Sequence, residues 1–242
     1  MRFYSLTVRN MKEVYRDPLS ISLGVAMPAA MLVLFVTIGK NTALDIFTPI
    51  ALAPAVAVFS FAFLTMFSAV LLTRDRQTAF LTRLLTTPLR PREFILAYTI
   101  PFLPAALLQI VACFAVAAVF GINLDLSIAA SLIVLVPAAI TCIGLGMLVG
   151  SLCTENQVAG IGSVVIVVAS LFGGAWMNLR EIGGVFEAIG YALPFAHAID
   201  ATRAIIKGAR LSDVRSDLYW LFAYTVAFYT LGVFSFAWRT KR

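Results

Sequence analysis

Residues 74–98, RDRQTAFLTRLLTTPLRPREFILAY, form the one long polar interruption in the first two-thirds of an otherwise apolar chain. Their apolar side chains recur one, four and five positions apart and so share one face of a predicted helix, which Pro88 ends. That face consists of Ala79, Phe80, Leu81, Leu84 and Leu85. Such a helix fits at a membrane surface or in a groove on another protein, because in both places one side is dry and the other is wet. The alternative interpretation is a loop whose basic residues only reflect the topology of the chain in the membrane.

The composition predicts an integral membrane protein. Of the 242 residues, 61% are hydrophobic and 12% are charged, whereas about a quarter of the residues in soluble domains are charged. The excess of 18 Lys and Arg over 12 Asp and Glu would indicate nucleic acid for a soluble protein, but in a membrane protein the position of the charges matters more. We therefore expect no nucleic-acid partner. Three cysteines without CxxC spacing and a single histidine also predict neither a disulfide framework nor a metal site.

Six uncharged runs each exceed the roughly 20 residues that a helix needs to cross a bilayer. They are Leu19–Gly39, Ile46–Thr73, Phe94–Leu124, Leu126–Thr154, Asn156–Leu179 and Leu218–Trp238. The sequence therefore predicts an all-α integral membrane protein with six transmembrane helices in a single domain, residues 1–242. Six spans place both termini on one side, and most basic residues lie on that side. This charge bias predicts a multi-pass protein of the plasma membrane with both termini in the cytoplasm.

Two segments outside these runs predict further helices. Residues 1–18 are amphipathic and predict an N-terminal interfacial helix rather than a signal peptide, because the apolar run that follows is longer than a signal core. Residues 180–217 are too charged to span and contain two helical patterns that Pro194 separates. They predict an outer re-entrant helical hairpin before the last span. The apolar face of the first helix is predicted to comprise Phe3, Leu6, Met11, Val14 and Tyr15.

Proline and glycine are frequent within the apolar runs. Pro101 and the other prolines of these runs predict kinks in the spans. Gly144, Gly160 and their neighbours Gly146, Gly150 and Gly162 predict close contact between neighbouring helices, because glycine allows two backbones to approach.

Two stretches resemble ABC type-2 exporter permeases of the multidrug type. In that family the second span is followed by an acid, a base, a Gly-Thr pair, a basic-Leu-Leu cluster, Thr-Pro-Leu and a closing acid. Ala79 and Phe80 replace the Gly-Thr pair, and the stretch 190–208, GYALPFAHAIDATRAIIKG, is similar to the feature before the family's last span. The matching residues are Asp75, Arg76, Arg83, Leu84, Leu85, Thr87, Pro88, Leu89 and Glu93 in the first stretch, and Pro194, Asp200 and Arg203 in the second.

This resemblance implies the membrane subunit of an ATP-driven exporter, which forms a homodimer or pairs with a different permease. Residues 74–93 would be a cytoplasmic coupling helix that docks into a separate ABC ATPase subunit. The chain has no GxxxxGK[ST] phosphate loop, so we expect it to be no enzyme and to hold no cofactor, with ATP and Mg²⁺ bound by the partner ATPase. The implied docking residues are Asp75, Arg76, Phe80, Leu81, Arg83, Leu84 and Leu85.

The stretch before the last span carries the second set of candidate residues. Pro194, His197, Asp200 and Arg203 are interpreted as an outer gate, and the alternative is that the charged ones among them are solvated surface residues.

The apolar spans with few fixed charges favour an amphipathic drug-like compound, a peptide or a lipid as cargo. A lipid-linked glycan is an alternative cargo for the same fold. A non-transporting membrane scaffold or sensor also stays open. A proton-coupled carrier that uses His197 or Asp200 is less well supported, because no ionisable residue lies within the six runs and such carriers need one near the midplane.

Overall fold

A computed structural model describes residues 2–42, 45–78, 90–123 and 125–239, and all regular structure in this part of the chain is helical. Short 3₁₀ turns lie at Asp45–Phe47 and Ile100–Phe102. The α-helices are α1 (Arg2–Tyr15), α2 (Pro18–Thr42), α3 (Pro49–Arg76), α4 (Pro91–Thr99), α5 (Leu103–Val119), α6 (Leu126–Leu152), α7 (Glu155–Phe172), α8 (Leu179–Ile182), α9 (Gly184–Tyr191), α10 (Pro194–Ile206) and α11 (Arg215–Arg239). The predicted all-α class is confirmed.

Six helical stretches in the described residues are long and apolar enough to cross a membrane, which confirms the predicted number of spans. The predicted end of the fifth span is wrong, because α7 stops at Phe172 and Gly174 has a φ of +73°. That left-handed conformation suits glycine and interrupts the helix. The six stretches are Pro18–Lys40, Pro49–Arg76, Pro91–Val119, Leu126–Leu152, Glu155–Phe172 and Arg215–Trp238.

The centre of the bundle is the contact between α3 and α6. In their most apolar stretches 72% and 61% of the residues are buried, against 17% in α7 and in α11. Glycine explains how closely α3 and α6 approach, because a Cβ on Gly146 would lie 2.0 Å from Ser68 Oγ and 2.4 Å from Thr65 O. The Thr65 hydroxyl also donates to the Cys142 carbonyl at 2.8 Å. The backbones of the two helices therefore approach closely at Gly146, and a hydrogen bond from a side chain to a backbone carbonyl links them nearby.

The predicted close contacts of the glycines are confirmed except at Gly160. A Cβ on Gly144 would lie 2.5 Å from the Tyr229 ring on α11, so this close contact is confirmed. Gly160 has nothing within 4 Å of such a Cβ, so its prediction is wrong. Gly160 lies on an outward face of α7, and Gly162 instead meets Met66 on the inward face.

The third span is divided into two helices with different neighbours. The 3₁₀ turn Ile100–Phe102, which contains Pro101, separates α4 from α5. Proline has no backbone N–H and interrupts the hydrogen-bond ladder at this point. The kink predicted at Pro101 therefore coincides with the break between α4 and α5. Before the turn, α4 packs against α1 and α11, and the Phe94 and Phe236 rings are stacked with their centroids 4.2 Å apart. After the turn, α5 packs against α2 and α3.

The face of α1 that packs against the bundle differs from the predicted one. Leu6 is buried as predicted, but Tyr15 is 62% exposed, which makes that part of the prediction wrong. Asn10 is instead fully buried, because it lies one helical turn after Leu6 and its amide donates to the Ala97 carbonyl on α4. The location of α1 at a membrane interface stays a prediction.

Candidate functional site

Polar side chains gather near the two ends of α3. The first group, the Asp75 cluster, consists of Arg9, Asn10, Asp75 and Tyr98. The second group, the Arg203 cluster, consists of Arg180, Tyr191, His197, Asp200, Arg203 and Asp217. Arg203 bonds to Ala51 near the start of α3, and Asp75 is near its end. At 1.5 Å per residue these two points lie about 36 Å apart.

The Asp75 cluster joins α1, α3 and α4. Asp75 forms an ion pair with Arg9 through both carboxylate oxygens, with 2.9 Å between Arg9 Nη2 and Asp75 Oδ1. The Tyr98 hydroxyl donates to the same carboxylate at 2.5 Å. Asn10 accepts from Arg9 at 3.0 Å and donates to the Ala97 carbonyl at 3.1 Å. A buried carboxylate needs such partners, because an unpaired charge in this environment is costly.

The electrostatics of the Asp75 cluster favour the ion pair. The Asp75 side chain is 8% exposed and that of Arg9 is 34% exposed. Burial lowers the pKa of Arg9, but the hydrogen bond and negative charge of Asp75 outweigh it, so this pKa lies above its usual value. Arg9 therefore stays charged beside the carboxylate.

Two arginines tie the end of α3 to the connection between α6 and α7. Arg76 donates to the carbonyls of Gly150 and, at 3.5 Å, Cys153. Arg74 Nε lies 2.8 Å from Glu155 Oε1, in a pair whose side chains are 62% and 40% exposed. The last turn of α3 therefore contacts both the end of α6 and the start of α7.

The sequence-predicted docking residues divide into two sets. Asp75 and Arg76 are described, and both contact other parts of this chain. On the far side of the predicted coupling helix, the Glu93 carboxylate accepts from the Arg90 N–H at 3.1 Å at the start of α4. The other docking residues, Phe80, Leu81, Arg83, Leu84 and Leu85, lie outside the described residues. A docking role stays a prediction for both sets.

Arg203 binds backbone rather than a carboxylate. Its guanidinium donates to the carbonyls of Ala51 at 2.9 Å, Gly174 at 3.1 Å and Ala175 at 3.4 Å. Burial lowers the pKa of Arg203 from its usual value, and the charge of Asp200 partly opposes this. One side chain therefore joins α10, the start of α3 and the segment after α7.

The remaining predicted gate residues lie next to this arginine. Asp200 accepts from the Tyr191 hydroxyl and lies 4.0 Å from Arg180. Burial, and next the hydrogen bond to Asp200, raise the pKa of Tyr191 to about 12. His197 is also held from both sides, because Nδ1 is 2.7 Å from Asp217 Oδ1 and Nε2 is 2.9 Å from the Tyr191 carbonyl.

Pro194 is buried at the first turn of α10, where its missing N–H is tolerated. The structure thus brings all four predicted gate residues onto one helix, and gating stays a prediction.

Arg9, Asn10 and Tyr98 were not among the sequence-predicted site residues. Asn10 carried a usable signal, because it lies four positions after Leu6 and four before Val14, in line with the apolar face of α1. A polar residue in such a row, once buried, needs a hydrogen-bond partner. No local pattern indicates that this partner is on α4.

In the described ranges, no three His, Cys, Asp or Glu side chains come together as possible metal ligands. What the two clusters can do is hold helices in fixed positions through charges and backbone hydrogen bonds.

A family model described as ABC-2 type transporter matches residues 1–207. This range includes α1 to α10 and therefore the Asp75 cluster and most of the Arg203 cluster. A search of curated proteins gave no match.

Proposed function

Because the chain belongs to the ABC-2 type transporter family, we propose that it is an exporter subunit that moves an amphipathic drug-like compound, peptide or lipid outward. The family makes it the membrane-spanning permease of an ABC transporter, without an ATPase site of its own and with a partner ATPase subunit. The proposal adds the direction, the cargo class and the contact surface to this family assignment.

The observation that carries the proposal is the anchoring of both flanks of residues 79–89. Before this segment, Asp75 and Arg76 are tied to α1, α4 and the end of α6. After it, the start of α4 is capped by Glu93, and Tyr98 on the same helix contacts Asp75. A partner that displaces residues 79–89 therefore displaces α3 and α4 rather than a loose loop. This is the arrangement that coupling ATP hydrolysis to span movement requires.

In the proposed complex, two permease chains, identical or different, lie beside each other in the plasma membrane with their termini in the cytoplasm. Phe80, Leu81, Leu84 and Leu85 enter a groove of the ATPase, and Arg83 lies at its rim. Asp75 and Arg76 position this helix from inside the permease. The apolar spans support an amphipathic cargo rather than a small ion.

The test is reconstitution of the tagged chain with the ATPase that co-purifies in mild detergent. We expect the Phe80→Ala/Leu84→Asp double variant to lose the ATPase and its transport-linked ATP hydrolysis, because both apolar contacts are removed. The matched control is Thr82→Ala/Thr86→Ala, which changes the opposite face of the same predicted helix and should retain both.

An unchanged complex in the Phe80/Leu84 variant would refute the contact surface. If the folded wild-type chain retained no ATPase in any of several detergents, the scaffold or sensor function would replace the export proposal.

A further inference from the structure

His197 lies on α10 between an acceptor on α9 and an acceptor on α11. Nδ1 is 2.7 Å from Asp217 Oδ1, and Nε2 is 2.9 Å from the Tyr191 carbonyl oxygen. Tyr191 is the last residue of α9, and Asp217 lies in the first turn of α11. The imidazole therefore joins three helices through its two ring nitrogens.

Both partners of this ring accept hydrogen bonds. A backbone carbonyl has no proton to donate, and an ionised carboxylate has none either. Neutral imidazole carries one N–H and one lone pair, so at one of the two contacts it would set a lone pair against an oxygen lone pair. Both distances lie in the hydrogen-bond range. The geometry therefore requires one proton more than a neutral histidine and an ionised aspartate hold together.

The additional proton belongs on the ring rather than on the carboxylate. Free histidine keeps its proton up to about pH 6.5, whereas free aspartate keeps it only up to about pH 3.9. The Asp217 side chain is 25% exposed, so water helps to keep its carboxylate ionised. The Trp220 ring is stacked on the imidazole, with 5.4 Å between the ring centroids, and an aromatic face attracts a cation. These contacts favour an imidazolium beside an ionised carboxylate.

The other titratable groups around this ring have partners of their own. Arg180 on α8 donates to the Tyr191 hydroxyl at 2.9 Å, and that hydroxyl donates to Asp200 on α10. On α11, Arg215 and Tyr224 each donate to a backbone carbonyl. Asp217 is therefore the charged group in direct contact with the imidazole.

The helices that pack on the remaining sides of α10 are α3, α6 and α7. The charged residues of α3 all lie in its last turn, at the opposite end of the helix from α10, and Glu155 of α7 pairs with Arg74 there. α6 has no charged residue, and its Cys142 lies against Thr65 of α3. In the described ranges, these three helices thus bring no competing charge to the ring.

We propose that His197 is a proton-binding site and that the bound proton holds the end of α9 and the start of α11 against α10. When the proton leaves, the neutral ring donates to one partner, and the contact with the other becomes repulsive. Above about pH 6.5 the folded chain keeps a proton that the unfolded chain has lost, so the stability from this link falls as the pH rises. The proposal depends on neither the cargo nor the ATPase contact.

The test is nitrogen NMR of the full chain in nanodiscs. His197 is the only histidine in the sequence, so labelling with ¹⁵N-histidine, and purification through a tag without histidine, reports on this ring alone. The spectrum is recorded at about pH 7.5, where free histidine is about nine-tenths neutral. We expect both ring nitrogens to give the signals of protonated nitrogen. A lone-pair nitrogen signal from the wild type at this pH would overturn the proposal.

Asp217→Asn tests the role of the carboxylate. The new amide can donate to Nδ1 while Nε2–H donates to the Tyr191 carbonyl, so a neutral ring has both partners and the fold is retained. We expect one nitrogen to change to the lone-pair signal at the same pH. Asp213→Asn removes the same charge from an exposed position four residues earlier and should keep the imidazolium. An imidazolium that persists in Asp217→Asn would refute the link to Asp217.

The pH dependence of Tm tests whether the proton holds the three helices together. Between about pH 6.5 and about pH 8.5 we expect the Tm of the wild type and of Asp213→Asn to fall more than that of Asp217→Asn, because in the last variant the neutral ring already has both partners. Equal falls in the wild type and in Asp217→Asn would overturn the proposed effect of the proton on α9 and α11.

Discussion

The two ends of α3 are fixed by different kinds of contact. At the Asp75 end, a carboxylate and a guanidinium on separate helices neutralise each other, and the arginine is one-third exposed. At the Arg203 end, a half-buried guanidinium donates to three backbone carbonyls from two other segments. Opening the first contact would let water solvate Arg9 but would leave the buried Asp75 carboxylate with the Tyr98 hydroxyl as its remaining partner in the cluster. Opening the second would remove a charged donor from three carbonyls at once.

This comparison makes Arg203→Met the substitution with the largest expected effect. It removes the donor to the Ala51, Gly174 and Ala175 carbonyls while keeping much of the side-chain volume. We expect a loss of about 3 kcal/mol in stability, measured as a lower Tm in detergent. The control is Lys207→Met, which changes an exposed residue directly after α10. A Tm shift no larger than that of the control would show that the bonds from Arg203 to the three carbonyls contribute little to stability.

Asp75→Asn should have the next largest effect. It keeps the shape of the side chain but removes the charge that Arg9 and Tyr98 contact, and we expect a loss of about 2 kcal/mol. The measurement is Tm together with ATP hydrolysis by the reconstituted complex, and Lys12→Gln, at an exposed position of α1, is the control. We expect ATP hydrolysis to fall more in Asp75→Asn than in an Arg203→Lys variant of equal stability. A larger fall in ATP hydrolysis in Arg203→Lys would contradict the distinction between the Arg9–Asp75 ion pair and the backbone contacts of Arg203.

The smallest expected effect is that of Arg74→Gln. Its pair with Glu155 is solvent-exposed on both sides, so we expect a change below about 0.5 kcal/mol. Glu155→Gln should match it, and the Arg74→Gln/Glu155→Gln double variant should add little. A large Tm loss in either single variant would show that charge alone, without burial, holds this end of α3.

The sequence was sufficient for the spans because each one is a long uncharged run, and the bilayer requires such runs. It also located the break at Pro194, where the missing N–H prevents a continuous helix. The predicted fifth span was too long because hydropathy continues smoothly past Phe172, whereas the helix ends where Gly174 turns. Apolar character and helical conformation are separate properties at this point.

The candidate site was less predictable because its contacts join distant parts of the chain. Asp75 and Arg203 were identified as candidates from the resemblance, but their partners were not. Arg9 lies 66 positions before Asp75, and Ala51 lies 152 positions before Arg203. Backbone carbonyls also carry no side-chain signature, so a cation that binds them looks in the sequence like a solvated one.

The absence of a side chain on Gly146 has a mechanical consequence for α3 and α6. With Thr65 and Ser68 pressed against that glycine, the two helices cannot slide past each other without a backbone clash. α3 therefore has little room to shift along α6 at this point. Asp75 near one end and the Ala51 carbonyl near the other belong to the same helix, so a tilt of α3 would move both.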